Sequence, residues 1–438
     1  MSEEALAYQI AATLRNAGFQ AFEAGGSVRD RLLGLPASDY TIATDAHPET
    51  VMRMFPRHSA VGAQFGVVLV RDESGDEIEV ATFRADVGYS DGRHPDAVRY
   101  TGDAREDVRR RDFTINGMLR DPVSGEVLDF VGGREDLSRR LVRAIGDPRQ
   151  RVAEDWLRML RAVRFAARLG FAIDAETMAA IRGQAAALRD VSAERVRDEL
   201  LKMLTEGRAR RVFELLDELG LLAEILPSVA RMKGVEQPPE FHPEGDVWTH
   251  TLMMLEALAA GCAPELALGV LLHDVGKPPT FRRAADRIRF DNHAGIGAVM
   301  AAEVAQRLRL SRQQGEQVAA LVANHMRFID AQRMRPSTLK RFLRLPRFDE
   351  HLELHRLDCA MSHGDLSTYE FVRWQREATP PESIRPARLV DGEDLKALGY
   401  APGPRFREIL TAIEDAQLEG DIATRDEALA LVAKRFPR

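Results

Sequence analysis

The chain has 438 residues with 45% hydrophobic and 29% charged side chains and a formal net charge of −7, a composition that points to a soluble globular protein of two to four domains. No apolar run approaches the ~20 residues of a membrane helix, and the acidic, amphipathic N-terminus MSEEALAYQIAATLRNAGF does not read as a signal peptide. Two widely separated cysteines, Cys262 and Cys359, predict a reducing compartment, no disulfide and a cytoplasmic location.

In chain order, residues 1–145 read as mixed α/β. A helix over about 3–17 leads to a strand at Ala21–Glu23, a Gly-Gly turn and a helix from Ser27 to Leu33. A strand over Asp39–Ala43 and a helix near Pro48–Phe55 follow, then strands around Gly66–Val70 and Glu77–Thr82. Asp86–Gly102 is rich in Gly, Asp and Pro without clear periodicity, which predicts a mobile loop. From about 146 helical patterns dominate: an amphipathic helix over Ala153–Arg168 and a second over Ser192–Leu204, with Ser192 as its N-cap. Pro238–Gly245 breaks the helices and opens a region holding eight of the eleven histidines. A linker, Thr379–Pro386, precedes a small tail with a turn at Ala401–Pro404.

Net acidity argues mildly against a nucleic-acid partner, but its distribution is uneven. Between Arg105 and Gly170 fifteen Arg face eleven Asp plus Glu, and only six of the 61 basic residues are Lys. The planar guanidinium fork suits phosphates and base edges.

Gly25-Gly26-Ser27-Val28-Arg29-Asp30 lies between a strand and a helix start, where unobstructed backbone N–H groups can cradle a phosphate. Taken alone it is a plain turn. Asp39 lies thirteen residues beyond Gly26, and Glu79 sits on a later strand. Neighbouring strands can bring such carboxylates together to hold Mg²⁺ for attack by a 3′-hydroxyl on a triphosphate.

Farther on, Asp155 and Arg158 are spaced i, i+3 on the long helix, with Arg161 continuing the stripe. On an isolated helix this is a solvated charged face. Yet cytosine and adenine both present an exocyclic amino donor beside a bare ring nitrogen. A carboxylate can accept from the first while a guanidinium donates to the second, and uracil and guanine would mispair with both.

Glycine-rich turn and acids are followed in order by Glu79–Arg84, Arg110–Gly117, Asp129–Gly133, Arg151–Arg161 and Ser192–Arg195. This succession resembles the class II tRNA nucleotidyltransferases (CCA-adding enzymes) and bacterial poly(A) polymerases, whose pattern is Gly-Gly-x-Val-Arg-Asp, then Asp-x-Asp. The resemblance implies that Gly25, Gly26, Arg29, Arg111, Asp112, Asp155, Arg158 and Arg161 form the pocket for incoming CTP or ATP. It also implies that Asp86–Gly102, with Tyr89-Ser90-Asp91-Gly92-Arg93, is the loop linked to switching from C to A addition. Where the family carries its second catalytic Asp, this chain has Thr41, a neutral and poor Mg²⁺ ligand. Asp45 shares the strand parity of Asp39, but at ~3.3 Å per residue it lies about 20 Å away. The expectation is therefore tRNA binding with strongly reduced transfer.

The histidine-rich region contains His273-Asp274-Val275-Gly276-Lys277 among His250, His293, His325 and Asp358. Six imidazole and carboxylate groups suffice for a binuclear centre of divalent metal ions whose identity they do not fix. Their order resembles the HD phosphohydrolases. In related nucleotidyltransferases this domain implies phosphatase and 2′,3′-cyclic phosphodiesterase activity, here on RNA 3′ ends, with Lys277 stabilising charge. His242, His351, His355 and His363 read as structural or peripheral.

The expected architecture is α+β: a nucleotidyltransferase head (1–145), a helical neck and body (146–240) for nucleotide selection and tRNA binding, an all-helical HD domain (241–378) and a helical tail (387–438). Two alternatives stay open. One is a poly(A) polymerase. The other is a catalytically silent, tRNA-binding head that serves an active HD hydrolase.

Overall fold

The computed structural model describes residues 2–437 apart from 38, 61–65, 90, 91, 93, 94 and 286. Its internal contacts divide the chain into two units, 1–230 and 231–438.

The first unit opens with α1 (Glu3–Asn16), whose N-terminus is capped by the Ser2 hydroxyl accepting from the Ala5 N–H. Strands β1 (Ala21–Ala24), β2 (Thr41–Thr44), β3 (His58–Ser59), β4 (Val67–Arg71), β5 (Glu77–Thr82), β8 (Met118–Arg120) and β9 (Val127–Asp129) form one sheet in the order β3-β4-β5-β2-β1-β8-β9. Only the β2–β5 pair is parallel, in a register that sets Thr41 beside Glu79. Side chains alternate between two cores. On one face Leu6, Ile10 and Leu14 of α1 pack with Ile42, Val68, Ile78 and Val80, together with Val51 of α3 (Pro48–Met54). On the other, Ala24, Ala43, Phe83 and Leu119 pack with Ala104 and Val108 of α4 (Ala104–Arg109). Between β1 and β2 runs α2 (Gly26–Leu32).

Three expectations need correction here. The segment read as a mobile loop forms an antiparallel hairpin, β6 (Arg84–Tyr89) with β7 (Pro95–Tyr100). The run Arg84-Ala85-Asp86-Val87 does alternate, but Gly88, at φ 68°, and Pro95 hide the period. Ser90, Asp91 and Arg93 at its tip lie outside the described residues. Asp39 is not on a strand: it is exposed with φ 54°, and β2 begins only at Thr41. Finally, the long helix is two helices, α6 (Pro148–Glu154) and α7 (Leu157–Leu169), broken at Asp155 with φ −152°. Asp155 is the C-cap residue of α6, and its carboxylate accepts from the Leu157 N–H at 3.1 Å, so the apolar periodicity continues across a break in the backbone.

Between α4 and α6 lies α5 (Gly133–Ser138). The short parallel strands β10 (Leu141–Val142) and β11 (Ala172–Ile173) flank α6 and α7. The unit closes with α8 (Ala175–Gln184), α9 (Ala193–Thr205), α10 (Ala209–Glu218), α11 (Leu221–Ile225) and α12 (Pro227–Ala230). Ser192 holds the N-cap position of α9, but its side chain makes no capping bond.

The second unit is helical except for one hairpin. Its elements are α13 (Val247–Glu256), α14 (Pro264–Leu272), α15 (Lys277–Thr280), the hairpin β12 (Phe281–Arg283) with β13 (Ile288–Phe290), α16 (His293–Arg307), α17 (Arg312–Asn324), α18 (Pro336–Leu343), α19 (Phe348–Met361) and α20 (Ser367–Ala378). The hairpin departs from the all-helical expectation. Helix α14 is buried from Glu265 to Leu272. Gly269 allows its contact with α17, since a Cβ there would meet Leu321 at 2.8 Å. The linker region contains a helical turn, α21 (Pro381–Ile384), anchored by buried Ile384. The tail forms its own core from Leu395 of α22 (Gly392–Ala397), Ile409 and Ile413 of α23 (Pro404–Glu419) and Val432 of α24 (Arg425–Arg435). Among the described residues no helix is long and apolar enough to cross a membrane.

Candidate active sites

In the first unit β1 runs into Gly25, whose φ of 82° favours glycine, and α2 begins at once with Gly26. Arg29, one turn into α2, is buried, yet it is fully engaged. Its Nε donates to Asp30 at 2.8 Å, its Nη1 donates to Asn116 at 2.6 Å, and its guanidinium lies 5.0 Å from the centre of the Phe165 ring. Arg161 and Arg164 of α7 approach the same ring at 5.3 and 4.5 Å, so one aromatic face organises three cations.

Asp112 accepts from Arg161 Nε and Nη2 at 2.8 and 2.6 Å and from Asn116 Nδ2 at 3.1 Å. Burial alone would raise its pKa, but Arg161 and the hydrogen bonds from Arg161 and Asn116 overcome that and hold the carboxyl at about 2. Arg111 is braced by Asp107 at 3.0 Å.

All of these groups face one cavity of about 510 Å³, lined by Gly25, Gly26, Arg29, Asp39, Thr41, Arg110, Arg111, Asp112, Asp155, Arg158, Arg161 and Lys202 among others. Eight basic side chains line it against five acidic ones, a positive surround inside an acidic protein. The cavity thus collects every residue expected at the nucleotide pocket. Glu79 is not among its lining residues, although its pairing with Thr41 puts the two side chains on the same face of the sheet.

Asp155 and Arg158 do not stand free on a helix surface. Arg195 grips Asp155 bidentately at 3.0 and 2.8 Å, while Arg158 donates to Glu154 at 2.7 Å and to the Arg110 carbonyl at 3.0 Å. Sequence reasoning missed these supports, although Glu154 and Arg195 both lie within motifs it had singled out.

In the second unit His273, His293 and His325 share one arrangement. Each Nδ1 sits against the backbone carbonyl three residues earlier: Val270 at 2.8 Å, Phe290 at 3.0 Å and Val322 at 2.7 Å. A carbonyl only accepts, so each Nδ1 carries the proton and each Nε2 presents a lone pair. His293 Nε2 and His325 Nε2 face each other at 3.3 Å, and Asp274 Oδ1 lies 3.6 and 3.8 Å from them. His273 Nε2 is buried without a hydrogen-bond partner. Lone pairs converging on a carboxylate repel one another unless a cation lies between them. Burial pushes His325 down to about 4 and lowers His293, which keeps both rings neutral and able to ligate. Asp274 stays ionised: burial opposes its charge, and the Lys277 ammonium beside it favours it.

Three groups have donor atoms close enough to share an ion: the two triads His250–His273–Asp358 and Asp274–His293–His325, built from the six expected ligands, and His242–Glu244–His250 beside them. Imidazole and carboxylate together suit a divalent transition metal. Gly276 is required here, because a Cβ would come within 2.1 Å of the His293 carbonyl and push the start of α16 away. Lys277 Nζ contacts Asp274 and donates to Gln237, each at 2.6 Å.

Over the triads lies a cavity of about 530 Å³ bounded by Phe241, Arg287, Arg289, Phe290, Met326 and Ile329 among others. His242, His355 and His363 also line it, and His355 is buried with its ring stacked on Phe328, centres 4.3 Å apart. His351 is buried among core residues with both ring nitrogens unpartnered, consistent with a structural place. Cys262 and Cys359 are free thiols.

Residues 21–143 match the poly A polymerase head domain, residues 170–233 the family described as "probable RNA and SrmB-binding site of polymerase A", and residues 247–358 the HD domain. A CCA-adding enzyme of Streptococcus pneumoniae serotype 19F is 31% identical over 434 residues, covering 98% of this chain and 96% of that protein. The chain belongs to the CCA-adding enzyme family.

The CCA-adding enzyme of Lactobacillus helveticus is 38% identical over 255 residues, a match that spans 57% of this chain and 63% of that protein's length. The crystal structure of the Bacillus stearothermophilus CCA-adding enzyme in complex with CTP superposes with a TM-score of 0.76 at 27% identity, covering 99% of this chain and 98% of its own. A Thermotoga maritima CCA-adding enzyme complexed with tRNA shares the fold, with a TM-score of 0.58 at 20% identity and coverage of 98% and 95%. Thr41, two residues after Asp39, opens β2 and pairs in register with Glu79 of β5. Among the described residues, clusters of three metal-ligating groups occur only in the second unit.

Proposed function

We propose that this protein completes and repairs tRNA 3′ ends by adding CCA from CTP and ATP without a nucleic-acid template. The observation that carries this reading is one cavity holding both halves of the chemistry: the Gly25–Gly26 helix start beside Asp39 and Thr41, and the base-reading pair Asp155 and Arg158. The N–H groups at the start of α2 and the Arg111 and Arg161 guanidiniums bind the triphosphate, and buried Arg29, tied to Asp30 and Asn116, holds the start of α2 in place and adds its positive charge. Asp155, oriented by Arg195, accepts from the amino group of C or A, and Arg158, oriented by Glu154, donates to the ring nitrogen.

Asp39 and Glu79 offer hard oxygen ligands of the type Mg²⁺ takes, and the ion, when bound, supplies charge neutralisation at the triphosphate and activation of the 3′-hydroxyl. Thr41 contributes a neutral hydroxyl in place of a carboxylate, so the site holds the ion more weakly and transfer is slow. Incubation with tRNA lacking CCA, Mg²⁺, CTP and ATP, read as product length, tests both claims. Thr41→Asp is expected to raise the extension rate about tenfold or more, each ~1.4 kcal/mol of recovered charge stabilisation being a factor of ten. A rate unchanged by Thr41→Asp would show that the hydroxyl suffices. Extension by ATP alone into a homopolymer would favour a poly(A) polymerase. Tight tRNA binding with no extension, even in the Asp variant, would favour the silent head.

The second site is read as a metal-dependent phosphohydrolase acting on RNA 3′ ends. Its support is the set of neutral, backbone-oriented Nε2 lone pairs around Asp274. The bound metal supplies the activated water, and Lys277 and Arg289 bind phosphate oxygens. Hydrolysis of a 2′,3′-cyclic nucleotide, lost in His273→Ala, is the expected result; equal rates in the two proteins would rule the site out.

A further inference from the structure

His250 is held differently from the other three ligand histidines. Its Nε2 faces Asp358 Oδ1 at 3.2 Å, but its Nδ1 meets a side chain instead of a backbone carbonyl: Glu244 Oε1, at 2.6 Å. The Glu244 side chain is 5% exposed and also contacts His242 Nδ1 at 2.9 Å, and the His242 and His250 rings meet edge to face with centres 4.9 Å apart.

The local chain geometry fixes this contact. Asp246 caps α13 by accepting from the Thr249 N–H at 2.8 Å, and it also accepts from the Gly234 N–H at 2.6 Å, which anchors the approach to the helix at both ends. Between them Gly245 adopts φ 129°, a conformation L side chains rarely take, and this reversal turns Glu244 toward His250 in the first turn of α13.

We propose that Glu244 is a positioning residue for the metal centre and makes its two triads unequal. The inference rests on the reading of the second unit as a metal site. A carboxylate behind an imidazole fixes ring orientation and increases ligand basicity more than a neutral carbonyl does, and loss of such a partner weakens metal binding by about 10–100-fold. The triad His250–His273–Asp358 contains the one histidine so supported. It therefore binds its ion more tightly than Asp274–His293–His325, whose histidines have backbone partners only. His242, which contacts Glu244 and lines the cavity, holds the carboxylate from the solvent side.

Equilibrium dialysis of the full chain against Mn²⁺, with bound metal counted by elemental analysis, tests this without any activity measurement. The native protein is expected to take up two ions at the histidine centre in two separated steps, and Asp39→Asn identifies any further uptake as that of the head carboxylates. In Glu244→Gln, which keeps the shape and an acceptor oxygen, the tighter step should weaken about 10–100-fold and approach the looser one. Circular dichroism and thermal unfolding of the metal-free proteins check that the variant is folded. His242→Gln is a milder second variant, expected to weaken the same step by less. Two unchanged steps in a folded Glu244→Gln would overturn the proposal while leaving the metal site intact. Equal weakening of both steps would also overturn it, since Glu244 contacts one triad only. No uptake by the native protein would defeat the metal reading itself, and the proposal with it.

Discussion

Asp112 is a buried anion whose neighbours define a stability term. Its carboxyl sits at about 2 in the fold against an ordinary value of 3.8, because Arg161 and the hydrogen bonds from Arg161 and Asn116 together outweigh the cost of burial. A depressed carboxylate stabilises the folded state above its unfolded pKa and loses that contribution as pH falls through the folded one. The shift corresponds to about 2 kcal/mol. Asp112→Asn should therefore lower unfolding free energy by about that amount at pH 7, measured by urea denaturation, and the gap to the native protein should close between pH 3.8 and 2. His351 carries the opposite charge type. Burial and Arg327 push it down to about 4 from 6.5, so the unfolded chain takes up its proton first and stability falls as pH drops from 6.5 to 4. Replacing His351 by Leu should remove up to one proton from the pH slope of unfolding in that window, and a slope equal to that of the native protein would contradict this account.

At the scale of elements, the alternation of β2 and β5, the stripe of α1 and the Gly25–Gly26 turn were all legible in the sequence, because each depends on side-chain period or backbone freedom within a few residues. The break at Asp155 was not, since the apolar stripe runs through it and only the extended backbone at Asp155, held by Arg195 from another helix, reveals it. Glu244 was hidden for a related reason: a lone Glu in a loop gains meaning only when Gly245 folds it back onto His250. The six candidate ligands could be named from residue type and order, but the tautomers of His273, His293 and His325 depend on backbone carbonyls no sequence motif displays. The β6–β7 hairpin also contacts α7. The Gly92 carbonyl accepts from the Trp156 N–H at 3.3 Å, and a Cβ at Gly92 would lie 2.6 Å from the Trp156 ring. Gly92→Val should displace the hairpin from the start of α7. Because the resemblance links this segment to the switch from C to A, the expected product on tRNA lacking CCA ends after CC, with C addition retained. Full CCA at the native rate would separate the hairpin from the switch.

For the whole molecule, two sites lie in two separately packed units, the cationic cavity in 1–230 and the histidine centre in 231–438. Each site takes all its lining or ligating residues from its own unit, so the chemistries should be separable by mutation. His273→Ala is expected to abolish phosphoester hydrolysis while leaving CCA product length and rate unchanged at saturating Mg²⁺, and a parallel loss of both activities would mean that the sites depend on each other. Binding of tRNA, if carried by arginine–phosphate contacts, should weaken steeply with salt. The overall charge of −7 did not advertise this, because the stretches where arginine outnumbers acids, 105–170 and 327–347 among them, are masked by acids elsewhere.

The three backbone carbonyls behind His273, His293 and His325 also bear on how this centre can change. A main-chain acceptor is present whatever side chain its residue carries, so substitutions at Val270, Phe290 or Val322 leave the imidazole orientation in place as long as α14, β13 and α17 stay folded. Only at His250 does ring alignment hang on a replaceable side chain. Drift toward another metal preference, or toward a single-ion centre, therefore has one accessible entry point, and three of the four histidines are shielded from gradual retuning.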